Sequence, residues 1–144
     1  MKEQNYKNHR RFVIGYHVIT VLLIFLVLVS SLYYVFATER GGLTLKSSEF
    51  IFLISLVLLL QYYYLRSFAL KAQDRAIRAE ENFRHYLLTG RPFDSRLTIR
   101  QIIGLRFASD EEFSELAKKA AESGMSEEEI KKAIKNWKPD TYRV

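Results

Sequence analysis

A chain of 144 residues with no cysteine excludes disulfides, thiolate nucleophiles and cysteine-based zinc sites. Its formal charge of +6 is uneven: residues 1–90 carry 11 Lys or Arg against 6 Asp or Glu, and residues 91–144 carry 11 against 10. The excess flanks two apolar runs, and the nearly neutral remainder argues against nucleic acid as a partner.

The first run, Phe12 to Thr38, contains no Lys, Arg, Asp or Glu. It exceeds the apolar core of a signal peptide and is followed by no small-x-small cleavage site, so a retained transmembrane helix is predicted. Gly41-Gly42 supplies a turn in a connection too short to hold a domain. The second run, Phe50 to Leu65, is sixteen residues long and reaches spanning length if Lys46 and Glu49 sit in the interface and Arg66 snorkels. From Leu43 to Thr89 there is no Gly and no Pro. One helix of 47 residues is therefore predicted, and at 1.5 Å per residue it reaches roughly 70 Å, far beyond one hydrocarbon core.

Lys2, Lys7, Arg10 and Arg11 precede the first run, and Arg66, Lys71, Arg75 and Arg78 follow the second, whereas the connection holds only Arg40 and Lys46. That bias predicts both termini on the cytoplasmic side, with Arg10, Arg11, Arg66 and Lys71 as candidates for contact with lipid head groups. Aromatic residues mark the same ends: Phe12 and Tyr16 inside, Tyr33 and Tyr34 outside, Phe50 and Phe52 outside, Tyr62 to Tyr64 inside. His17 and Gln61 lie at similar depth, and a hydrogen bond between them would register the two helices at about 1 kcal/mol. No Asp or Glu accompanies His17 in the span, which weighs against a proton relay.

Past the membrane, Ala69, Ala72, Ala76, Ala79, Phe83 and Tyr86 recur at alternating steps of three and four, a heptad-like seam on which another helix is expected to pack. Tyr62 and Leu65 continue its spacing toward the membrane. Asp74–Arg78, Glu80–Arg84 and Glu81–His85 form i,i+4 pairs. Glu81 and His85 also have a spacing that metals use, but surface ion pairs share it and no metal is assigned. Gly90 and Pro92 end the helix near Thr89.

The stretch RSFALKAQDRAIRAEENFRHYLLTG, with IIGLRFASDEEF, the terminal IKKAIKNWKPDTYRV and the opening MKEQNYKNHRRF, resembles a family of small bacterial two-pass membrane proteins known as a domain of unknown function. The likeness runs over nearly the whole chain. It implies a bacterial membrane protein and brings no activity or site residues with it; the expected location is the inner (plasma) membrane.

In the C-terminal part, Ser109 with Glu112 and Ser126 with Glu129 have the form of capping boxes. They open helices predicted over Asp110 to Ser123, stopped by Gly124, and Glu127 to about Trp137, stopped by Pro139. Thr98 is placed to cap a shorter helix through Phe107, with a strand over Leu97 to Phe107 as the other reading. Apolar stripes at Ile99, Ile102 and Ile103, at Phe113, Leu116, Ala117 and Ala120, and at Ile130, Ala133, Ile134 and Trp137 suggest a small bundle closed against the Ala/Phe83/Tyr86 seam. A DNA-reading helix-turn-helix is rejected because its second helix would open on Glu127, Glu128 and Glu129, facing phosphates.

The expected fold is all-α: a two-helix transmembrane hairpin, a stalk continuing the second helix, and a bundle of about three short helices. The expected segments are 1–46, 47–90 and 91–144. With no phosphate loop, glycine fingerprint or Ser/His/Asp constellation, the expectation is a non-enzymatic interaction or scaffold module without a cofactor. Its expected partners are membrane lipids and a second copy or another protein. The alternative is a small oligomeric transporter or channel subunit.

Overall fold

The computed structural model describes residues 4–9, 12–37 and 43–140. Gly41-Gly42, Arg10 and Arg11, and the terminal Tyr142 to Val144 lie outside them. The described chain is helical and divides into two compact units, one of Arg11–Phe68 and one that joins Met1–Arg10 to Ala69–Val144.

The apolar unit holds α1, Gly15–Ala37, and the first part of α2, Leu43–Thr89. Both are long and apolar enough to cross a membrane. Helix α1 opens with a π-helical turn, Gly15–Thr20, and continues as regular α-helix from Val21. Thr20 Oγ1 donates to the Gly15 carbonyl five residues back at 3.0 Å, a partner that the wider π turn brings within reach. Most large apolar side chains here are exposed, among them Leu22, Phe25, Leu26, Leu53 and Leu60. Among the described residues of this unit the buried positions are small: Ser31 donates to the Leu28 carbonyl at 2.9 Å, and Ser55 to the Phe52 carbonyl at 2.6 Å. A serine whose hydroxyl returns to its own backbone permits close approach without leaving an unpaired polar group.

The second unit contains the rest of α2 with α3, Ile99–Leu105, α4, Asp110–Ser123, and α5, Glu127–Ala133. Its core gathers Leu97, Ile102, Ile103, Leu105, Phe107, Phe113, Leu116, Ile130 and Ile134 with one residue of α2, Ile77. Thr98 and Gln101 form a reciprocal capping box at α3, and Ser126 and Glu129 one at α5. Gly124 takes a left-handed conformation (φ 62°) that stops α4, and Gly90 does the same after α2 (φ 71°).

Two expectations for these helices are overturned. Ser109 makes no side-chain cap to α4, and Glu112 does not turn back to it. Glu112 reaches instead to the far end of α5, where its carboxylate accepts from the Lys135 N–H at 3.1 Å and the Asn136 N–H at 2.9 Å. Helix α5 accordingly ends at Ala133 rather than near Trp137, and Ile134 is extended (φ −65°, ψ 124°). The chain then runs back along 107–109: the Ser109 N–H donates to the Asn136 carbonyl at 3.0 Å, and the Lys138 N–H to the Phe107 carbonyl at 2.7 Å. Backbone partners outside the helix replace those that further helix would supply, so Pro139 is not what stops it.

Candidate functional site

The polar centre of the second unit is Arg84, one turn before the end of α2, its side chain 12 % exposed. Nε donates to Asp110 Oδ1 at 2.7 Å, Nη1 to Glu81 Oε2 at 3.0 Å and Nη2 to the Ala108 carbonyl at 2.7 Å. The guanidinium also lies 4.1 Å from the centre of the Phe113 ring. A planar fork of donors on an aromatic face suits Arg and not Lys. The pairing with Glu81 runs at i,i+3, so the expected Glu80–Arg84 pair gives way to a more enclosed one. Burial pushes the Glu81 carboxyl above its ordinary range against the pull of Arg84. The Arg84 hydrogen bond holds the Asp110 carboxyl below its ordinary range. Asn82 Oδ1 accepts from the Phe93 N–H at 2.9 Å, and the His85 ring lies against Phe93 with centroids 4.6 Å apart while its Nδ1 meets the Arg91 carbonyl at 2.8 Å. Glu81 and His85 are thus each engaged separately.

The N-terminal segment forms a second polar cluster in the same unit. The Asp140 N–H donates to Gln4 Oε1 at 2.7 Å, and Gln4 Nε2 donates to the Asp140 carbonyl at 3.3 Å. Tyr6 Oη donates to Glu128 Oε1 at 2.7 Å, a bond that raises the phenol's pKa above its ordinary value. His9 is buried, with ring centroids 5.7 Å from Phe107 and 5.8 Å from Trp137. Its Nδ1 meets the Tyr6 carbonyl at 2.7 Å and its Nε2 meets Lys131 Nζ at 3.4 Å, and Lys131 is also paired with Glu127. These contacts imply a neutral ring that donates from Nδ1 and accepts at Nε2.

In the apolar unit, Tyr16 and Tyr62 join the two helices. Their rings stack with centroids 4.6 Å apart, Tyr16 Oη donates to the Tyr62 carbonyl at 3.0 Å, and Tyr62 Oη approaches the Tyr16 carbonyl at 3.4 Å. The Arg66 guanidinium lies 5.7 Å from the Tyr16 ring centre. His17, one position along, turns to its own helix, with Nδ1 at 2.9 Å from the Val13 carbonyl and its ring stacked on Phe12 at 4.7 Å. Gln61 is exposed.

The seam residues lie in α2 as expected, but the small bundle does not close on them. Ala72, Ala76, Ala79, Phe83 and Tyr86 are exposed and Ala69 is half-buried. The bundle uses Ile77, Glu81, Arg84 and His85 on another side of the helix. From Ala69 to Ala79 that face is alanine and offers little area to bury, whereas Ile77 and the stem and guanidinium plane of Arg84 offer more. Lys71 is exposed.

A model for a family of unknown function, DUF6526, matches residues 1–144. The chain belongs to this family. No curated protein and no solved structure matches it. Membership spans both units, so the N-terminal segment, the paired tyrosines and the Arg84 centre all fall inside the family's boundaries. The sequence offers Arg84 only as the partner of Glu80, and it gives no role to Gln4, Tyr6 and His9, whose partners in the rest of the unit lie more than ninety residues away. Only the spacing of Tyr16 and Tyr62 beside His17 and Gln61 pointed near the contact that forms.

Proposed function

We propose that the chain is a two-span membrane protein whose cytoplasmic part is a non-enzymatic docking module carried on a helical stalk. One observation carries this reading: the segment before the first apolar helix and the residues after the second fold into one unit, joined from Gln4 to Asp140. A single crossing would leave those two ends on opposite sides of a bilayer, and a cleaved leader would remove one of them. Two crossings return the chain to the side it left. The bias of Lys and Arg toward both ends supports the cytoplasm as that side.

The described polar side chains support docking more than catalysis. Arg84, Gln101 and Glu112 each hold backbone groups of the unit, and Arg84 also pairs with Glu81 and Asp110. Within the spans, the Thr20, Ser31 and Ser55 hydroxyls return to their own helices, which supports an anchor over a transport path.

Cysteine labelling tests the topology. In intact cells a membrane-impermeant maleimide should label Glu49→Cys, while Lys7→Cys and Lys138→Cys should react only after permeabilisation. Labelling of Lys7→Cys and Lys138→Cys from opposite sides would overturn the two-span reading.

A further inference from the structure

The side of α2 that the bundle leaves open carries a self-complementary pattern. Phe83 is 62 % exposed and Tyr86 53 % exposed, both well past the last residue of the apolar run. With Ala69, Ala72, Ala76 and Ala79 they keep heptad spacing over 69–86, a span of roughly 27 Å in helix. Small residues alone would not single out an occupant. The flanking charges do. If Ala69, Ala76 and Phe83 take position a, and Ala72, Ala79 and Tyr86 position d, then Arg75 falls at g and Glu80 at the following e.

In a parallel two-stranded coil, g of one helix faces that following e of the other, so Arg75 meets Glu80 of a second copy and symmetry repeats the contact. An antiparallel coil brings g to g and e to e, and places neither opposite charge beside the other. Arg75 and Glu80 are both exposed on the helix. Helices anchored in one membrane with one orientation can pair only in parallel, which the charge order also favours.

We infer that residues 69–86 of α2 form a parallel homodimer interface, with a second copy of this chain as the occupant. The inference rests on the membrane reading above and deepens it by naming the partner. An alanine-lined seam of five steps buries little area and would be weak between free chains. Tethering in a membrane raises the effective concentration and makes such a contact sufficient.

The experiment uses the full-length chain in membrane vesicles. Under mild oxidation Ala76→Cys and Ala79→Cys should give covalent dimer several-fold above Arg78→Cys, which lies off the seam. Adding Arg75→Glu or Glu80→Arg to the Ala76→Cys chain should lower the dimer several-fold when each is expressed alone, because the facing charges then repel. Co-expressing the two reversed chains should restore it, since each then complements the other. Equal cross-linking at the control position, or no restoration on mixing, would overturn the interface, including the case in which the seam binds a different protein. Alkaline carbonate extraction separates the two readings: protein retained in the membrane without dimer sinks the dimer alone, whereas extracted protein sinks the membrane reading beneath it.

Discussion

Gln4 and Asp140 stand 136 residues apart and are joined by two hydrogen bonds, in which the Gln4 amide pairs with the backbone N–H and carbonyl of Asp140 as a neighbouring strand would. Asp140 is held in turn by its carboxylate, 3.2 Å from Arg106 Nε. His9 then seats the end of the segment between Phe107 and Trp137.

His9 is the anchor of that segment, since it is the one buried side chain among residues 4–9. His9→Ala is expected to weaken docking by about 2 kcal/mol, in line with removal of a buried ring. Trypsin should then cut after Lys7 much faster, while the thermal midpoint of the remaining unit moves little. An unchanged cutting rate would show that the ring does not hold the segment.

Arg84→Ala strips Glu81 of its partner while that carboxyl stays enclosed, and is expected to destabilise the second unit by about 3 kcal/mol. Arg84→Lys keeps the charge but not the fork or the stacking on Phe113, and should recover less than half of the loss. Chemical denaturation followed by the near-ultraviolet signal of Trp137 measures both. Full recovery by Lys would reduce the site to simple charge neutralisation.

The same centre predicts a pH signature. Asp110 has a lowered pKa in the folded chain, so its contribution is present above its ordinary value of 3.8 and is lost as pH falls through the folded value. Glu81 has the opposite sign: its raised pKa makes its charged form a cost at neutral pH that acidification relieves. In Arg84→Ala the first contribution disappears and the second cost grows. Acidification from neutral pH should therefore stabilise that variant more than it stabilises the parent, in which Arg84 already offsets part of the Glu81 cost. A parallel fall in both chains would refute the assignment.

Gln101 is buried and uses all of its amide. Oε1 accepts from the Thr98 N–H at 2.8 Å and its hydroxyl at 3.0 Å, and Nε2 donates to the Ala120 and Met125 carbonyls at 3.2 and 2.8 Å. Gln101→Glu keeps the shape but turns an acceptor toward two carbonyls, and is expected to cost about 3 kcal/mol. The denaturation midpoint should recover partly at low pH, where the carboxyl regains a proton to donate.

Gly104 lets α3 approach α5. A Cβ there would stand 3.2 Å from the Glu127 carbonyl oxygen and 3.3 Å from Ile130 Cγ2. Gly104→Val is expected to destabilise by about 2 kcal/mol through this overpacking, despite the gain in helix propensity. A thermal midpoint equal to the parent's would mean that α5 moves away freely.

Local chemistry was the legible part of this molecule. Thr98, Ser126, Gly90 and Gly124 announced helix ends because a cap depends on residues a few positions apart. The stripes of α3, α4 and α5 announced the core, because burial imposes helical spacing. Glu112 misled because its spacing from Ser109 fits a capping box, while its actual partners, the N–H groups of Lys135 and Asn136, sit more than twenty residues on. The Ala72–Tyr86 seam was legible as a face but not as an unused one. Which side of a helix its own chain covers depends on Ile77 and Arg84, and no periodicity ranks those against alanines. Docking of Gln4, Tyr6 and His9 on the far end of the chain left no local trace at all.

A unit made from both ends of the chain has a schedule as well as a shape. At roughly 5–20 residues per second of synthesis, the segment that begins at Gln4 waits on the order of ten seconds before Asp140 exists to receive it. Both apolar helices are made during that wait. Closure therefore reports that both intervening helices leave the two ends free to meet, and a chain in which it fails leaves His9 without its cover of Phe107 and Trp137.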